Sequence, residues 1–437
     1  MNLRLNLAAA VIAAALLPGA AVAATAGMPA ELPPFAPDRP LPVPEVARHT
    51  LDNGLQVWIL PRDGVPRVDY VLVFRNAGLA ADAPESPAFA SMLASLLTEG
   101  TDERDSRGIA EAAQGMGGGI GGYAATDGLA INANALPSKS AEMAALLAEV
   151  ARKPSFPQAE IDLAKANALQ GLKASEAQPG FRAERAMLAA LYGEHPYART
   201  QATEAGIAAV DRDTLVAEHA RRLRPDNALL VITGRIGEDE ALALAKQHFG
   251  DWRAEGEPPA PTAMARNGAA PARLLLKREG SVQSTVRIGR PAIRATHPDA
   301  IPLQLASTVL GGSFSSRLMQ NLREDKGYTY GAGLGHRRLA AGGALVANAD
   351  VRNEVTGAAV SEFFAEFERL ANEPVPAAEL EMNKRYVAGS YLISNQLQRS
   401  AAGTLAGNWL LGLPPEYVAE FVPRIREVTA EQVQAMG

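Results

Sequence analysis

Arg323 and Tyr330 are the side chains whose types and spacing first suggest chemistry. They lie in the stretch Leu310 to Gly335, LGGSFSSRLMQNLREDKGYTYGAGLG, which opens on the glycine pair Gly311 and Gly312. Ser316 to Asp325 reads as a short amphipathic helix, with Leu318, Met319 and Leu322 on one face. Gly327 ends that helix, and Tyr328 and Tyr330 open a strand-like run. A guanidinium fork and a phenol placed across a helix end and into a strand can be aimed at one point. Both groups donate hydrogen bonds, so their natural target is a carboxylate or a carbonyl oxygen. The plainer alternative is an exposed helix-end charge and a core aromatic.

The residues SSRL, LRE, the glycine and the tyrosine, as they stand here, resemble the pitrilysin/insulysin family of inverted-motif zinc peptidases, which includes the mitochondrial processing peptidase. The resemblance implies that Arg323 and Tyr330 reach across a clamshell to the substrate backbone beside the zinc. It also implies a helix earlier in the chain carrying His-x-x-Glu-His, in which two imidazoles bind zinc and the Glu activates water. The Gly-Thr that follows this motif in the family is Gly100-Thr101, which places the motif on Ser91-Met92-Leu93-Ala94-Ser95. Both histidines are then Ser91 and Ser95, and the glutamate is Ala94. A third ligand, a Glu, is expected on a later helix. The window Leu163 to Ser175 contains no acidic residue. Hydroxyls and a methyl group cannot replace two imidazoles and a base, so this chain is expected to hold no metal, the zinc residing in a partner subunit.

The six histidines, His49, His195, His219, His248, His297 and His336, contain no i, i+4 pair. A metal site assembled from distant histidines is the alternative. His195-Pro196-Tyr197 matches the family's HPY and is read as structural. There are no cysteines, which removes disulfides, thiolate zinc ligands and a thiol nucleophile. The run GMGGGIGG formally satisfies G-x-G-x-x-G at Gly117, Gly119 and Gly122. A dinucleotide fingerprint must follow a strand and open a helix. This run follows a helical segment and precedes a strand-like one, Tyr123 to Ala135, so it reads as a mobile loop.

Composition sets the frame for these residues. A chain of 437 residues, 47% hydrophobic and 5% aromatic, can bury a sizeable helix-rich core. A net charge of −6 with scattered Arg and Lys leaves no nucleic-acid footprint. Residues 1–23 read as a signal peptide: Arg4, the apolar run Leu7 to Leu17, then Ala21-Val22-Ala23 as the cleavage site. The expected address is a periplasm; an uncleaved anchor is the alternative. No later stretch is long and apolar enough to cross a membrane.

Residues 24–44 form a Pro-rich arm. The first domain spans 45–250, opening on a hairpin with Asn53-Gly54 as a type I′ turn. Residues 251–271 form a linker long enough to hinge, and 272–437 a second domain carrying Arg323 and Tyr330. The second half repeats the order of the first. Ser284 to Gly289 parallels Val68 to Phe74, and a helix, Pro-rich turn and long helix recur. The fold class is therefore α+β: two duplicated domains, each a mainly antiparallel sheet with helices packed on one face. The first half ends on a strand, Asn227 to Gly234, and a helix; their counterparts are missing from the second half, either because the sequence is truncated or because the second domain is incomplete.

The expectation is a non-catalytic subunit of a periplasmic heterodimeric zinc peptidase. A related catalytic chain would supply zinc and base, and a peptide or unfolded polypeptide would be the substrate. Two alternatives remain open at this point. One is a scaffold like the core subunits of a respiratory complex; the other is a metallopeptidase with an unrecognised metal site.

Overall fold

The computed structural model describes residues 45–266 and 272–437. The expected signal peptide, the Pro-rich arm and the end of the linker lie outside the described residues. The first sheet comprises β1 (Ala47–Thr50), β2 (Gln56–Pro61), β3 (Val68–Arg75), β4 (Gly119–Ala124), β5 (Gly128–Ala135) and β6 (Ala228–Gly234). Their order is β1-β2-β6-β3-β5-β4, with only β2 and β6 parallel. The central strands β3 and β6 are covered on both faces. Their sequences, VDYVLVFR and ALLVITG, are accordingly near-continuous apolar runs.

The first half's helices are α1 (Phe89–Leu96), α2 (Ser106–Gly115), α3 (Ser140–Arg152), α4 (Gln158–Glu176), α5 (Pro179–Tyr192), α6 (Glu204–Ala209), α7 (Arg212–Arg222) and α8 (Glu238–Phe249). Phe89, Leu93, Met143, Leu147, Leu244 and Phe249 from these helices pack on Val57, Tyr70, Leu72 and Ile131 of the sheet in one core. The second half supplies β7 (Gln283–Ala292), α9 (Ala300–Ser307), β8 (Thr329–Leu339), β9 (Gly342–Arg352), α10 (Thr356–Asn372), α11 (Ala377–Gln396), α12 (Gln398–Leu410), α13 (Tyr417–Glu427) and α14 (Ala430–Gln434). Its sheet has the order β7-β9-β8, wholly antiparallel, matching β3-β5-β4.

The fold class is as the sequence implies, with one addition: each half lends a helix to the other. α12 lies on the remaining face of the first sheet, where Ala401, Ala402, Leu405, Ala406 and Trp409 meet Trp58, Val71, Val73, Leu229 and Val231. Arg75 stacks over the Trp409 ring at 3.7 Å, and Gln398 Nε2 donates to Asp69 Oδ2 at 2.7 Å. In return α5 lies on the second sheet. Met187 and Leu191 press on Gly289, where an added Cβ would come within 2.9 Å of either side chain. Arg337 Nη1 bonds Glu184 at 2.8 Å, and the Tyr192 hydroxyl donates to the Gly343 carbonyl at 2.9 Å.

Two local expectations are corrected. The β1–β2 turn is not type I′, because only Gly54 (φ 89°) is left-handed and Asn53 is not. The loop spans Leu51 to Leu55 and closes through Leu51 N–H to Leu55 O. Asn53 is committed elsewhere, its Nδ2 donating to the Phe249 and Trp252 carbonyls at 2.7 and 3.1 Å. The glycine run is not a mobile loop either. Gly119, Gly121 and Gly122 belong to β4, and Tyr123 to Ala135 is a strand end, a turn and β5. The glycines serve close approach: a Cβ on Gly122 would lie 2.3 Å from Ala94 O of α1, and one on Gly118 would lie 1.6 Å from Asn134 O.

Candidate functional site

α1 is held at its start by a buried ion pair. Both Asp82 carboxylate oxygens accept from the Ala90 N–H, at 3.1 and 3.2 Å, where the first-turn donors of a helix lack partners. Arg222 Nη1 donates to Asp82 Oδ1 at 2.7 Å, and Arg222 Nε to Glu218 Oε2 at 2.6 Å. Burial pushes Asp82 up to about 6, against the opposing pull of Arg222.

On this helix Ser91 and Ser95 are exposed one turn apart, the spacing that places two ligands on one face. Ala94 is fully buried against β4. The Ser95 hydroxyl is tied back to Met92 O at 2.9 Å. A cleft of about 310 Å³ opens beside Ser91 and Met92, faced from α4 by Ala168, Leu172 and Ser175 and lined also by Phe181. Its polar lining is the hydroxyls of Ser91, Ser175 and Thr200 and the carboxamide of Gln201, with neither imidazole nor carboxylate. This set does not fit a zinc ion, which takes nitrogen, thiolate or carboxylate ligands.

The histidines are dispersed in space as in sequence. His49 meets Glu238 at 2.9 Å, His219 the Ala151 carbonyl at 2.9 Å, and His195 the Ala263 carbonyl at 2.8 Å. His195 also accepts from the Tyr197 N–H at 3.2 Å. The Tyr197 hydroxyl then donates to Asp127 at 2.6 Å and accepts from the Ala341 N–H at 3.0 Å, joining the two halves. The HPY residues are structural here. His336 sits on β8 with both ring nitrogens buried and without a partner, and burial beside Arg338 lowers its pKa to about 4. No group of three or more His, Cys, Asp or Glu able to hold a metal occurs among the described residues.

Arg323 lies on a π-helical turn, Met319–Asp325; Leu318 just before it, Met319 and Leu322 are buried as the pattern predicts. Its guanidinium stacks over Phe314 at 4.5 Å. Gly327 (φ 63°) reverses the chain, and Tyr330 follows at an irregularity in β8 between Thr329 and Ala332. The Tyr330 side chain is 95% exposed, so the core-aromatic alternative is removed. Thr329 fixes the irregularity through bonds to Gly331 O and Asp350 O at 3.0 and 2.7 Å. The cleft beside α1, and a second one against β4 and β5, are lined by neither Arg323 nor Tyr330. Arg323 is half-buried beside Phe314, and Tyr330 projects into solvent.

Two supports of this surface escaped the sequence reading. Arg317, 6% exposed, forks onto Glu379 of α11, and Asn321 Nδ2 donates to Glu362 and Glu366 of α10 at 3.0 and 2.9 Å. Arg317 stood in SSRL, but its acidic partner is 62 residues away and carries no local signal.

Two family models cover most of the chain: Insulinase (Peptidase family M16) over residues 62–204, and the Peptidase M16 inactive domain over residues 209–387. The chain belongs to the M16 peptidase family. An uncharacterized zinc protease of Mycobacterium leprae is 27% identical over 90% of this chain and 88% of the relative. A Helicobacter pylori protein described as a non-peptidase homolog is 24% identical over 83% of each. The crystal structure of a peptidase M16 inactive domain from Pseudomonas fluorescens superposes with a TM-score of 0.81 at 26% identity, covering 89% of this chain and 94% of that one. This M16 chain is therefore peptidase-like in fold and sequence.

Proposed function

We propose that this chain is the non-catalytic, substrate-holding subunit of a two-chain M16 peptidase that works in the periplasm. The observation that carries the reading is the contrast between two surfaces of one molecule. α1 keeps the i, i+4 geometry of a metal-binding helix but offers only Ser91 and Ser95, while the half-buried Arg323 stands on a helical turn braced by Arg317 and Tyr330 stands exposed at the start of β8.

In this reading a related M16 chain contributes zinc and the water-activating base. Arg323 grips the substrate backbone through a carbonyl or carboxylate oxygen. Tyr330 donates its phenolic proton in a hydrogen bond to the scissile carbonyl oxygen as negative charge develops there. One such donor is worth roughly 3–4 kcal/mol in acyl transfer. The substrate is a peptide or unfolded segment, since recognition falls on backbone groups.

The test is reconstitution with an M16 chain of similar length that carries an intact His-x-x-Glu-His. Arg323→Ala should lower peptidase turnover of the complex while its zinc content stays the same. Unchanged turnover refutes the assignment, and stoichiometric zinc in the isolated chain refutes the division of labour.

A further inference from the structure

α11 is apolar on two sides. On its inner side Leu380, Val387 and Ala388 are buried. Its outer side carries Met382, Tyr386, Ile393 and, where the helix ends, Leu397, which are 44%, 49%, 68% and 66% exposed. Steps of four, seven and four residues keep these four side chains on one line along the helix. A helix that is apolar all round is normally covered all round.

The internal repeat does not account for the outer line. The counterpart of α11 is α4, which turns Asp162, Asn167, Gln170 and Lys173 outward beside Leu163. The elements without a counterpart in the second half are β6 and α8. In the first half β6 lies between β2 and β3, and α8 packs on α3 and β2. Their equivalents would therefore fall beside β7 and on α10, away from the outer side of α11.

The line is symmetric about its middle. Tyr386 and Ile393 are equidistant from the Gly389–Ser390 bond, and so are Met382 and Leu397. A Cβ on Gly389 would meet nothing within 4 Å, so the middle is open to close approach. A second α11 laid antiparallel across it opposes Met382 with Leu397 and Tyr386 with Ile393, each pair twice, as a twofold axis requires. Charge agrees with this pairing. The chain has no charged residue from Tyr386 to Gln398, and Arg385 on the flank falls beside the neutral Gln396 of the second copy.

We propose that the outer side of α11 is the seam of a homodimer, formed with a second copy of this chain about a twofold axis at Gly389 and Ser390. The seam is about 22 Å long at 1.5 Å per residue. One helix pair of that length buries less than the roughly 800 Å² per partner of a standard interface, so the dimer should be weak, with a dissociation constant on the order of 10 µM. Arg323 and Tyr330 take no part in it, and it does not rest on the function proposed above.

The test is sedimentation of the full chain over a concentration series, joined to disulfide trapping, for which a chain without cysteines is suited. The parent should pass from monomer to dimer in the micromolar range. Ile393→Glu, at an exposed position, should melt as the parent does and weaken the dimer at least about tenfold. Ser390→Cys, beside the axis, should oxidise to a covalent dimer, whereas Asn167→Cys on α4 should not. Three outcomes overturn the proposal: a parent that stays monomeric at about 100 µM; a dimer that Ile393→Glu leaves unchanged; or trapping through Asn167→Cys equal to that through Ser390→Cys.

Discussion

The guanidinium of Arg317 meets the carboxylate of Glu379 in two parallel hydrogen bonds, Nε to Oε1 at 2.8 Å and Nη2 to Oε2 at 2.9 Å. This fork joins the start of the Arg323 segment to α11. Arg317→Met removes the fork and leaves a half-buried carboxylate without its partner, which should cost about 2–4 kcal/mol. Urea unfolding should show a lower midpoint at unchanged slope. Arg317→Lys should recover only part of the loss, since an ammonium cannot make both bonds. A shift below about 0.5 kcal/mol for Arg317→Met would mean that packing alone holds the segment.

Tyr330→Phe separates chemistry from stability. The side chain is almost wholly exposed, so the isolated chain should unfold as the parent does. In the reconstituted complex turnover should fall by about 10²–10³ if the phenol meets a developing oxyanion. A loss confined to KM would instead place Tyr330 in substrate binding.

Gly122 and Gly121 make a matched pair on β4. A Cβ at Gly122 would lie 2.3 Å from a backbone oxygen of α1, whereas one at Gly121 meets nothing within 4 Å. Gly122→Ala should therefore destabilise the protein by about 2 kcal/mol or more, because helix and strand must move apart. Gly121→Ala should stay within about 0.5 kcal/mol of the parent. Equal effects in thermal melts would show that α1 does not pack on β4 as described.

His336 gives a pH dependence with a definite sign. Its pKa is lowered to about 4 in the fold, below the value near 6.5 of a free imidazole. Below pH 6.5 the unfolded chain therefore binds the proton more readily. Stability from this group is present above pH 6.5 and is lost as pH falls towards 4, by about 2–3 kcal/mol in all. His336→Phe should flatten this part of the stability profile. It should also stabilise at neutral pH, because two unpartnered ring nitrogens leave the interior. An unaltered slope between pH 6.5 and 4 would assign the acid sensitivity to other groups.

Much of the fold was legible because its signals are local. Leu318, Met319 and Leu322 announced a buried face, and the runs VDYVLVFR and ALLVITG announced strands. The internal repeat fixed the order of elements. The helix under Ser91 and Ser95 was legible too, since i, i+4 spacing depends only on helical geometry. What escaped is relational. Asn53 looked like a turn residue and spends its amide on carbonyls nearly two hundred positions away. The glycines of β4 looked like slack and are required by Ala94 pressing from above. α12 and α13 were not read at all. α12 has a weak pattern of alanines and glycines because it is clasped between layers and lacks a strongly polar side.

The exchange of α5 and α12 between the halves has a mechanical consequence. Each sheet keeps one face dry only while the other half is present, so neither half encloses a complete interior by itself. Severing the backbone within residues 251–266 would leave two fragments clasped like linked hands, and the molecule should melt in one step whether or not that thread is cut.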